Sequence, residues 1–139
     1  HAANIVLNSG IKIIMMGLDV THKVLVDDII IKDIVSIGNK SSLFFQKLME
    51  FYSKFHKKKY NTSSSPLHDP CVIGYLLNPQ IFNGKNVNVK VEEESELTMG
   101  KTVVDWLYVT DRKPNCFVVD SVDVSRFFKL LKEKISLLP

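Results

Sequence analysis

The run Ile11-Lys12-Ile13-Ile14-Met15-Met16 decides the fold class of this chain. It is short, almost wholly apolar and β-branched, which suits a strand buried on both faces of a parallel sheet. Residues 2–7 before it read as the end of a helix, stopped at Asn8-Ser9-Gly10 with Gly10 as the capping glycine. Helix, glycine, buried strand is the αβ half of a βαβ unit.

Working outward, a helix is expected from Asp27 or Asp28, with Ile29, Ile30, Ile34, Val35 and Ile37 as its apolar side and Gly38 as its stop. Ser41 or Ser42 is expected to cap a longer helix running to about Lys58. Its Phe44, Leu48, Phe51, Tyr52 and Phe55 recur at the three-and-four spacing of one buried face. A polar loop, residues 61–65, leads to a further helix that Asn78-Pro79 ends. The character then changes. Residues 86–91 alternate with period two, residues 102–106 form a second strand-like run after Gly100, and residues 116–119 a third. Together they read as a small antiparallel sheet. An amphipathic helix over residues 124–137 closes the chain, carrying Phe127, Phe128, Leu130, Leu131 and Ile135.

The expected architecture is therefore α/β: a mainly parallel open sheet flanked by helices, a small antiparallel extension and a C-terminal helix. One αβ unit is not a whole doubly wound domain, because a buried strand needs neighbours on both edges. The 139 residues read as the C-terminal portion of one domain whose N-terminal half is not in this chain, which begins at His1 rather than Met.

Composition narrows the function. At 45% hydrophobic and 24% charged the chain is globular, and a net charge of +3 is small. Basic residues are mixed with acids except at Lys57-Lys58-Lys59, where a helix C-terminus favours cations, so no nucleic-acid face is expected. No apolar run reaches bilayer length, so no membrane partner is expected. Cys71 and Cys116 lack CxxC neighbours and fit neither a disulfide framework nor a zinc site, which points toward a reducing, cytoplasmic location.

The segment Ser65-Pro66-Leu67-His68-Asp69-Pro70-Cys71 sets an imidazole beside a carboxylate between two prolines. Proline fixes φ and removes a donor, so the pair sits on stiff backbone. Asp69-Pro70 also reads as a helix N-cap followed by a first-turn proline, and a capping role explains the same residues.

Three motifs in order carry a family resemblance. Met16-Gly17-Leu18-Asp19-Val20-Thr21-His22 resembles the GLDVTH segment of the inosine-uridine-preferring nucleoside hydrolases. Pro66-Leu67-His68-Asp69-Pro70-Cys71 resembles their PLHDP signature, and Gly100-Lys101-Thr102-Val103-Val104-Asp105-Trp106 their G-x-T-x-x-D segment. The resemblance implies hydrolysis of the N-glycosidic bond of ribonucleosides to ribose and free base. It implies Asp69 as a ligand of a calcium ion that binds the ribose hydroxyls and a water, and His68 as the acid that protonates the departing base. Breaking such a bond passes through an oxocarbenium-like transition state, and a group titrating near neutrality keeps the base from leaving as a bare anion.

The resemblance also implies His56 and Tyr60 as base-binding residues, with Tyr52 shared between that role and the apolar helix face. Asp19 and His22 are assigned to structure around the strand end. The aspartate cluster D-x-D-x-x-x-D-D and the E-x-N segment of the family are not in these residues. One carboxylate cannot meet the six to eight oxygens calcium takes, so the 139 residues alone are expected to be inert. The intact protein is expected to be a homo-oligomer, or this chain to pair with a complementary N-terminal fragment. Two alternatives stand beside the enzyme: a non-catalytic nucleoside- or partner-binding fragment or paralogue, and a His-Asp phosphohydrolase, which would need an all-helical scaffold.

Overall fold

Capping side chains and glycines mark where the elements stop. The computed structural model describes residues 1–139, in chain order α1 (Ala2–Leu7), β1 (Ile14–Met16), α2 (Leu18–Thr21), β2 (Leu25–Val26), α3 (Asp28–Val35), α4 (Lys40–Tyr60), β3 (Ser65–Pro66) and α5 (Asp69–Leu77). A 3-10 turn at Pro79–Ile81 follows, then β4 (Phe82–Val87), β5 (Val89–Val91), β6 (Thr102–Val104), β7 (Cys116–Val122) and α6 (Val124–Ser136). Asp27 caps α3 by accepting from the amides of Ile29 and Ile30, as its sequence position suggested. For α4 the cap is Asn39, one turn earlier than Ser42, whose amide it receives at 2.8 Å. The same Asn39 amide group donates to the Ile135 and Leu138 carbonyls, fastening the start of α4 to the end of α6. No helix is long and apolar enough to cross a membrane.

The chain divides into two compact units, residues 1–17 with 83–120 and residues 18–82 with 121–139. In the first unit β1 pairs in parallel with β7, Met15 opposite Val118. The sheet order is β1-β7-β4. Backbone bonds from Asn115 N to Val87 O and from Asp123 N to Ile81 O bracket β4 and β7 in opposite sense, so that pair is antiparallel and the sheet mixed. Leu7, Val87, Val89, Val91, Cys116 and Val118 form the core of this unit, with Met15 and Trp106 packed against it.

Three sequence expectations change here. The strand expected over residues 11–16 is only Ile14–Met16, is half-buried, and lies at a sheet edge; Ile11 is exposed. A strand with one neighbour cannot bury both of its flanks. Residues 116–119 do not join the antiparallel extension but form the central strand of the mixed sheet. Finally, the period-two run over residues 86–91 is two strands, not one. It breaks at Asn88, whose side chain donates to the Lys113 carbonyl and accepts from Arg112 Nε. Beyond the break, β5 turns to pair with β6.

The second unit is helical, with a two-stranded ribbon pairing β2 and β3. Here too the helix geometry is as read but its buried face is not. On α4 the buried residues are Ser42, Met49 and His56, whereas Phe44, Leu48, Phe51 and Phe55 are exposed. Asp69 is not the N-cap of α5. His68 holds that position, no side chain caps the helix, and Pro70 falls in its first turn.

Candidate active site

The second unit brings the GLDVTH and PLHDP segments side by side by a local device. Leu25 opposes Pro66 and Val26 opposes Ser65 in the β2–β3 ribbon, and Leu67 N donates to Val24 O at 2.9 Å. Residues 21–24 and 65–68 are thereby held in register, with α2 ending where α5 begins. Thr21 Oγ1 lies 2.8 Å from His68 Nδ1, and the His22 ring centroid lies 5.3 Å from that of His68.

Opposite them runs α4. Positions 52, 56 and 60 recur every four residues and so share one face. His56 is buried between Tyr52, at 4.5 Å centroid to centroid, and Tyr60, at 5.4 Å. These side chains line an open cavity of about 560 Å³, with Leu18, His22, Tyr52, His56, Tyr60 and His68 among its walls. Its size and its aromatic walls with a few polar tips suit a small planar organic ligand.

Burial, then the neighbouring His22 and His56 rings, lower the pKa of His68 below the usual imidazole value, while the Asp69 carboxylate works the other way. In the free chain His68 is therefore mostly neutral at pH 7. Burial first, then the Asp69 and Tyr60 charges, raise the Tyr52 phenol, which stays protonated. Cys71 follows the motif but is not a nucleophile. It is buried, its thiol is pushed up to about 11, and it donates to the Leu67 carbonyl.

Of the residues singled out in the sequence, His68, His56, Tyr60 and Tyr52 thus face one cavity. Asp69 does not line it. It is exposed and borders a separate, almost wholly apolar cavity of about 340 Å³ with Ile73, Phe127 and Leu131. No group of three or more His, Cys, Asp or Glu side chains is placed to hold a metal ion. Calcium takes six to eight oxygen ligands, so the residues of this chain do not by themselves fit it. Asp105, in the third motif, binds its own loop: both its oxygens accept from Val109 and Thr110. His22, read from sequence as structural, lines the cavity wall beside His68. Thr21 also meets His68, and its place inside the GLDVTH motif is the only mark of this in the sequence.

The family model described as inosine-uridine preferring nucleoside hydrolase matches residues 1–129. This chain belongs to that family. The pyrimidine-specific ribonucleoside hydrolase RihA of Salmonella schwarzengrund is 42% identical over 136 residues, 97% of this chain and 44% of the relative. The RihA of Salmonella typhimurium matches to the same extent. Among solved structures, the purine-preferring ribonucleoside hydrolase from Gardnerella vaginalis superposes with a TM-score of 0.84 at 29% identity, over 99% of this chain and 43% of that one. A plant nucleoside hydrolase superposes at 0.87 with 24% identity, over 100% of this chain and 45% of that one, a likeness of fold alone. The chain spans less than half the length of the curated relatives it matches. The mixed α/β fold they share sets aside the all-helical His-Asp phosphohydrolase reading.

Proposed function

We propose that the protein carrying this chain hydrolyses the N-glycosidic bond of ribonucleosides, and that these residues form the side of the site that receives the base. The observation that carries the reading is the cavity in which His68 meets Tyr52, His56 and Tyr60. Aromatic faces hold a planar base by stacking, and an imidazole among them can hand it a proton as the bond to ribose breaks. His68 is the proposed general acid, and His56, Tyr60 and Tyr52 are the proposed base-binding residues. Named relatives differ in base preference, one pyrimidine-specific and one purine-preferring, so the substrate class proposed is the ribonucleoside, without a choice of base.

Asp69 is proposed as one carboxylate ligand of a calcium ion. With no metal-binding group of three in the chain, the other ligands would have to come from outside these 139 residues. A cytoplasmic homo-oligomer remains the working picture of the intact protein.

The test uses the full-length protein. His68→Ala should lower turnover about 100–10,000-fold on inosine and uridine, the usual range for a lost acid. Wild-type turnover in that variant would remove His68 from the mechanism. The lack of a metal-ligand group favours a second reading for the 139 residues alone, namely that they bind nucleosides without cleaving them. Isothermal titration of the isolated chain with inosine, beside product analysis, separates the two.

A further inference from the structure

We propose that Thr21 is a positioning residue for His68: its hydroxyl oxygen accepts a hydrogen bond from Nδ1–H, fixing the ring so that Nε2 is the nitrogen presented to the ligand. The inference rests on the reading of His68 as the acid, and it gives the GLDVTH segment a task that its motif match alone does not. Three observations meet. Thr21 Oγ1 stands 2.8 Å from Nδ1, a normal hydrogen-bond distance. Thr21 is 3% exposed, so its side of this contact is shielded from competing water. The backbone bond Leu67 N to Val24 O and the β2–β3 pairing hold the two segments at a fixed offset, so the contact does not depend on a mobile loop.

A hydroxyl can give or take a hydrogen bond, and the chemistry decides which is required. If Thr21 donated to Nδ1, the neutral ring would carry its proton on Nε2. Losing that proton would leave an imidazolate, which is not accessible near neutrality. If Thr21 accepts, the neutral ring carries its proton on Nδ1, and once it has taken up a second proton on Nε2 the charged ring holds protons on both nitrogens. It releases the Nε2 proton to the base and is left as the neutral Nδ1–H form, with its bond to Thr21 intact throughout. One N–H bond breaks at Nε2, one forms on the base, and the electron pair of the glycosidic bond leaves with the base. The His22 ring lies beside it, tilted, 5.3 Å from centroid to centroid.

The tautomer is read first, by nitrogen-15 NMR of the His68 ring in the wild-type full-length protein, assigned by comparison with His68→Ala. The expected form of the neutral ring is Nδ1–H; an Nε2–H ring overturns the proposal whatever any variant does. Kinetics follow. Thr21→Val keeps the shape and removes the oxygen, and it should lower kcat about 10–100-fold with KM changed by less than about threefold. Thr21→Ser, which restores the hydroxyl, should recover most of that loss. Unchanged kcat in Thr21→Val, or a serine variant as poor as the valine one, refutes the role of Thr21. Loss of activity in His68→Ala beside normal activity in Thr21→Val would sink this inference alone and leave the function standing. Normal activity in His68→Ala would sink the function itself.

Discussion

Asp105 receives the amides of Val109 at 2.8 Å and Thr110 at 3.0 Å, together with the Thr110 hydroxyl. It closes a turn in which Tyr108 takes a positive φ of 55°, and it is itself buried. The Thr110 hydroxyl bond above all, then the Val109 and Thr110 amide bonds and the Arg112 charge, hold its carboxyl below the ordinary carboxylate value. The unfolded chain therefore binds the proton first as pH falls. The stabilisation from Asp105 is complete above the unfolded value of about 3.9 and is lost as pH drops through the lower folded value. Urea midpoints of the wild type and Asp105→Asn should differ at neutral pH and converge below about pH 4. A gap that stays constant across that range would show that the charge contributes nothing. The same residue shows the limit of a motif at this scale: G-x-T-x-x-D was legible, but whether Asp105 served a ligand or its own loop depended on where Thr110 came to lie.

At the scale of elements, Gly84 sets how closely β4 can approach β7. A Cβ built there would stand 2.3 Å from the Val118 carbonyl oxygen and 2.9 Å from Val119 Cα, both backbone atoms that cannot swing aside. Gly84→Ala should destabilise the chain by on the order of 1–3 kcal/mol, read from a shifted denaturation midpoint at unchanged m. An unshifted midpoint would mean that the strands can part without cost. The elements themselves were largely legible. Helices α3, α4, α5 and α6 lie within a few residues of their expected bounds, because caps, glycines and prolines act locally. Which face each buries was not. Phe51 is 79% exposed, while the polar-ended His56 is 7% exposed. Periodicity identifies a stripe, but the element that covers it is contributed from elsewhere in the fold. Strand membership failed for the same reason. Asn88 hides a change of sheet inside one alternating run, since alternation records the pleat and not the partner.

At the scale of the whole molecule, the isolated 139-residue polypeptide carries apolar side chains in water along α4, at Phe44, Leu48, Phe51 and Phe55, and along α5, at Val72, Ile73, Leu76 and Leu77. It also presents β1 as an edge strand. Clustered apolar faces and an uncovered edge favour association. Sedimentation velocity at rising concentration should show self-association at micromolar protein, and a monodisperse, cooperatively folding monomer would contradict this. What the sequence by itself determined is local and compositional: the helices, the punctuating glycines, an α/β class, and three motifs specific enough to name a family that the comparison of the whole chain bears out. What only the tertiary structure decided is juxtaposition. It put Thr21 against His68, set the Tyr52, His56 and Tyr60 face of α4 across one cavity from His68, and left Asp69 outside that cavity's wall. Those placements depend on contacts between residues far apart in the chain, and neither spacing nor residue type encodes which distant neighbour a side chain will meet.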